Sequence, residues 1–76
     1  MQNKQTHLSL LMLAILKTDR WLTRREIGQA LNRPSGITNP HDNLTLDRLV
    51  ISGEIEFRER AIGAAKIVYE YRKVGE

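Results

Sequence analysis

Leu46-Asp47-Arg48-Leu49-Val50-Ile51-Ser52-Gly53-Glu54-Ile55 is the stretch where the period of the chain changes. Up to Gly53, the apolar residues Leu46, Leu49 and Val50 recur at helical spacing and mark one inward face. Beyond it, Ile55 and Phe57 alternate inward while Glu56, Arg58 and Arg60 alternate outward, the two-residue period of a half-buried strand. Gly53 stands at the changeover, where a residue free to turn left-handed ends a helix. Downstream, Ala61 to Lys66 form a tip with Gly63 supplying turn freedom. The return strand puts Ile67, Tyr69 and Tyr71 on one face and Val68, Glu70 and Arg72 on the other. The pattern predicts a helix over 39–52 and a hairpin with strands near 54–60 and 67–74.

Upstream, Thr23-Arg24-Arg25-Glu26 fits a capping box, in which a threonine hydroxyl and a glutamate three residues on satisfy each other's backbone amides. A helix over 23–32 follows, with Ile27, Ala30 and Leu31 inward and Gly28 permitting close helix approach. Pro34, Ser35 and Gly36 break the chain between helices, and Ile37 is expected to anchor this connection in the core. Thr38 or Asn39 caps the next helix, and Pro40 suits its first turn. Before all of this lies an apolar helix expected over 4–18. Leu8, Leu11, Met12 and Ile15 face the core, and Leu10, Leu13, Ala14 and Leu16 widen the apolar surface. Two readings stand for that surplus: a central helix packed on several sides, or a second face that meets a partner subunit. Trp21-Leu22 fits a very short strand at the edge of the hairpin.

The chain has 76 residues, enough for one small domain spanning 1–76 and a modest core. There is little room for an enclosed enzyme pocket. The net charge of +3 leans toward a polyanionic partner, although the hairpin segment balances its basic and acidic side chains. Cysteine is absent, which removes disulfides, thiol catalysis and thiolate zinc sites. His7 and His41 are far apart and form no ligand cluster. No metal, cofactor or small-molecule ligand is indicated, and the run Leu8 to Leu16 is short for a membrane span. A cytoplasmic protein is the default expectation.

The layout resembles the winged helix-turn-helix family of DNA-binding domains. Leu46 to Ile55 looks like the end of a recognition helix running into a wing strand, and Leu22 to Leu31 looks like the supporting helix before it. The resemblance implies an α+β, mainly α fold: three helices and a C-terminal two-stranded β-hairpin wing. It implies a double-stranded DNA-binding protein, in its simplest use a small prokaryotic or phage transcriptional regulator, nucleoid-associated when bound. The helix 39–52 would read the major groove through Asn39, His41, Asn43, Thr45 and Arg48. The 54–74 wing would contact backbone through Arg58, Arg60 and Lys66, with Arg24, Arg25 and Arg33 on flanking phosphates. A homodimer through helix 4–18 would match a palindromic site. The alternative is a winged-helix protein–protein interaction module within a larger assembly. An enzyme is the least favoured class, because Asp42 and His41 are sequence neighbours that point apart on a helix, and no catalytic residue is nominated.

Overall fold

The computed structural model describes residues 6–74. In chain order they form α1 (His7–Ile15), β1 (Leu22–Thr23), α2 (Arg24–Ala30), a 3-10 turn (Pro34–Gly36), α3 (Pro40–Ile51), β2 (Ile55–Ala61) and β3 (Ile67–Lys73). The fold is α+β: three α-helices and one antiparallel sheet. The sheet has three strands in the order β1-β3-β2: the two-stranded hairpin of the expected wing is joined by the short edge strand expected at Trp21-Leu22, which falls at Leu22–Thr23. The extra strand is short, pairing Leu22 with Tyr71 and Thr23 with Glu70, and it ties the start of α2 to the return strand.

Each helix begins at a side-chain cap. Thr6 accepts from the Ser9 amide at 3.1 Å and opens α1. The Thr23–Glu26 capping box is complete: the Glu26 amide donates to the Thr23 hydroxyl at 3.1 Å, and the Thr23 amide to the Glu26 carboxylate at 2.9 Å. A second box, Asn39 with Asp42, opens α3 with Pro40 in its first turn. At the far end of α3, Gly53 takes φ +82°. The Glu54 amide then reaches back to the Leu49 carbonyl at 3.0 Å, satisfying an end-of-helix acceptor.

The first helix is shorter than expected. Positions 4 and 5 of the expected span lie outside the described residues. At the other end Leu16 is the cap, and the Thr18 hydroxyl accepts from the Arg20 amide at 3.0 Å, closing a turn that competes with another helical turn. Its inward face is also rotated. Ser9, Met12 and Leu16 are buried, while Leu11, expected in the core, is 41% exposed. The Ser9 hydroxyl donates to the Thr6 carbonyl at 2.9 Å, so a polar residue takes an inward position without a stranded donor.

Met12 and Leu16 meet Ile27 and Leu31 of α2, Leu46 and Leu49 of α3, and Leu22, Ile55 and Tyr71 of the sheet in one core. Ile37 is not part of it, being 64% exposed. The anchoring of that connection comes instead from two glycines and an ion pair. Gly28 and Gly36 bring α2 and the 3-10 turn into backbone contact, with Gly36 at φ +68°. Arg33 holds Asp42 through two hydrogen bonds of 2.8 and 2.7 Å.

Candidate nucleic-acid interface

Two elements carry the expected contact residues, α3 and the β2–β3 hairpin. On α3 the residues His41, Leu44, Arg48 and Ile51 recur at intervals of three and four, and all are exposed. They form one outward stripe opposite the buried Asp42, Thr45, Leu46 and Leu49.

The polar side chains expected to read bases divide sharply. Thr45 is buried and its hydroxyl donates to the His41 carbonyl at 2.9 Å, so it faces inward and its expected outward role is corrected. The Asn39 side-chain oxygen accepts from the Asp42 amide at 2.8 Å as the helix cap. The Asn43 side-chain oxygen accepts from the Thr38 hydroxyl at 2.7 Å, and the residue is half-buried. Arg48 is exposed and, among the described residues, its guanidinium has no ion-pair partner.

The basic residues expected on backbone divide in the same way. The Arg33 guanidinium is committed to Asp42, whose side chain is fully buried. Those hydrogen bonds, with help from the Asn39 amide, hold the Asp42 carboxyl below its usual range and raise Arg33. Arg24 donates to the Tyr71 hydroxyl at 3.0 Å and lies over the Tyr69 ring at 4.8 Å. Burial pushes the Tyr71 phenol up, against the pull of Arg24. Arg58 and Arg60 both reach Glu70, at 2.7 and 3.0 Å, and the Glu70 carboxylate is itself nearly buried. Hydrogen bonds from Arg60 and then Arg58 lower its carboxyl. These two arginines therefore share one counter-charge. Arg25 and Lys66 are exposed and, among the described residues, form no ion pair.

The two sheet faces differ in chemistry. On one, the Arg58 and Arg72 guanidinium groups lie over the Trp21 ring at 4.2 and 4.6 Å, and Arg72 is tied to Glu56 at 2.9 Å. On the other, Phe57 packs against Tyr69 and Tyr71 with ring centroids 5.6 and 5.3 Å apart. That second face borders a groove of about 530 Å³ toward α3, lined by Arg24, Asp47, Val50, Ile51, Phe57, Glu59 and Tyr69. Phe57 is 40% exposed there, although its alternation pointed inward.

Leu44 and Ile51, at 46% and 85% exposure, were not nominated from sequence. The signal was available: once Leu46 and Leu49 define the inner side of α3, residues 44 and 51 fall outside. Asn39-x-x-Asp42 likewise repeats the spacing of Thr23-x-x-Glu26 and marks Asn39 as a cap.

Among the described residues, no group of three His, Asp or Glu side chains could hold a metal ion, and no helix is long and apolar enough to cross a membrane. Comparison with protein-family models, curated protein sequences and solved structures returned no match.

Proposed function

We propose that this chain is a winged helix-turn-helix domain that binds double-stranded DNA, acting in a prokaryote or phage as a small transcriptional regulator. The observation that carries the reading is the outward stripe of α3, with Arg48 exposed on it and, among the described residues, without an ion-pair partner, beside the β2–β3 hairpin across a shared groove. The order of helices and strands supports the winged-helix identity. In this reading α3 enters the major groove, led by His41 and Arg48. Arg25 and Lys66 meet phosphate, joined by the surplus charge of Arg58 and Arg60 over Glu70. Arg33 and Asn39 act indirectly, by fixing the start of α3.

The test is selection from random duplexes followed by titration across a salt series. A recovered motif is expected, with log affinity falling against log salt by about 0.9 for each phosphate neutralised. Absence of duplex binding at low salt would overturn the reading.

A second reading rests on α1. Leu10 and Leu11 are 54% and 41% exposed, and Ala14 is exposed beside them. Leu13, first paired with Leu10 as the outer face, packs half-buried against the core instead. The corrected patch, Leu10 with Leu11 and Ala14, supports self-association of the domain or docking within a larger assembly.

A further inference from the structure

The stripe of α3 is apolar at two of its four positions, and the amide and hydroxyl side chains on the same helix are occupied internally. Asn39 caps, Asn43 holds Thr38, and Thr45 is back-bonded to His41. Bidentate recognition of adenine by asparagine is thus weakened at both candidate positions, because one acceptor of each amide is already in use. Beside the exposed Asp47 carboxylate, α3 offers a major groove a guanidinium, an imidazole and two branched aliphatic groups. Arg48 suits guanine. The apolar groups have one complementary feature among the base edges of that groove, the thymine 5-methyl.

We propose that Leu44 reads the 5-methyl group of a thymine in the bound site, and that Ile51 reads a second. The inference rests on the DNA-binding reading and deepens it. Leu44 precedes Arg48 by one helical turn, so its thymine neighbours the guanine that Arg48 contacts. Leu44 and Ile51 are seven residues apart, about 10 Å along the helix. Projected on the duplex axis, that reaches at most about three base-pair steps at 3.4 Å per step. The expected site therefore contains two methyl-sensitive positions about two to three base pairs apart, with an Arg48-dependent guanine between them. Ile37, also exposed, lies before the helix and is not needed for this spacing.

The experiment uses the full chain and the duplex recovered by selection. Each thymine is replaced singly by uracil, which removes the methyl and leaves the pairing edge intact. Single replacement limits changes in groove shape, which alter affinity without contact. At the Leu44 position, uracil should weaken wild-type binding about four-fold, the factor that burying one methyl group supplies. Leu44→Ala should bind the thymine and uracil duplexes equally, and Ile51→Ala should lose sensitivity at the other position only. Both residues are exposed, so circular dichroism of the variants should match wild type.

Wild-type indifference to every uracil, with motif binding intact, would overturn the methyl reading and leave the DNA reading standing. Sensitivity that persists in Leu44→Ala would assign the methyl to another residue and equally overturn it. If no duplex is bound, both readings fall together, and the apolar stripe belongs to a protein contact.

Discussion

Replacing Gly28 by alanine sets two effects against each other, and the structure decides the sign. Alanine is the better helix former by about 1 kcal/mol in a helix interior, so propensity alone predicts a stabilised protein. A Cβ on Gly28, however, would lie 2.6 Å from the Gly36 carbonyl carbon and 3.3 Å from its Cα, with the carbonyl oxygen closer still. Ordinary contacts between carbon atoms are about 3.5–4.0 Å, so the turn must retreat by about 1 Å. It is poorly free to do so. The Arg33 amide donates to the Gly28 carbonyl at 2.9 Å, the Gly36 amide to the Arg33 carbonyl at 2.9 Å, and the Arg33 side chain is fixed on Asp42. Overpacking against such surroundings costs about 2–3 kcal/mol, near the top of the usual range. After the propensity gain, a net loss of about 1–2 kcal/mol remains. The whole domain is expected to have only about 4–11 kcal/mol of stability. Urea unfolding followed by helical circular dichroism should show the midpoint falling by about 1–2 M, taking a slope near 1 kcal/mol per molar. A midpoint that rises would refute the argument, since backbone contact between α2 and the turn would then be dispensable.

Three further outcomes are expected. The Asp42 carboxyl is lowered in the folded chain, chiefly by Arg33, so its contribution is complete above the ordinary carboxylate range. That contribution should decline as pH falls below about 4 and be gone once pH drops below the folded-state value; Asp42→Asn should flatten this acid limb of stability against pH, and an unchanged limb would count against the ion pair. Glu70→Gln removes the counter-charge shared by Arg58 and Arg60, and should raise affinity for duplexes of any sequence while steepening the salt dependence by up to ~0.9 per added phosphate contact. An identical salt slope would mean that these arginines do not meet DNA. In sedimentation, wild type should self-associate with concentration and Leu10→Glu/Leu11→Glu should stay monomeric with unchanged circular dichroism; a wild type monomeric throughout removes the α1 contact.

What could be read from the sequence was local. Thr23 with Glu26, Pro40 after Asn39, and Gly53 before an alternating strand each act over three or four residues, and each appears in the fold as written. Side-chain direction was harder, because it depends on partners far along the chain. Ser9 lies on the inward face and Leu11 does not; the Ser9 hydroxyl is satisfied within its own turn, which apolar periodicity cannot register. Arg33 and Arg58 looked equally available as basic residues. Their carboxylates, Asp42 and Glu70, lie nine and twelve positions away and are brought to them only by the turn and by strand register. The proposed contact surface therefore follows residue type in the sequence and is re-sorted by hydrogen bonding in the fold. Thr45 turned inward, Arg33 was engaged, and Leu44 and Ile51 emerged where composition had suggested only polar readers.

Trp21 is the chain's single tryptophan, and a guanidinium from β2 and one from β3 both lie over its ring. Its light emission thus belongs to the hairpin, while the far-ultraviolet signal of the protein belongs to the helices. The molecule carries an intrinsic optical label packed against its hairpin. The strands and the helices can therefore be followed by two separate signals in one sample, and coincidence of the two would mark a single cooperative unfolding, with no dye attached and no residue changed.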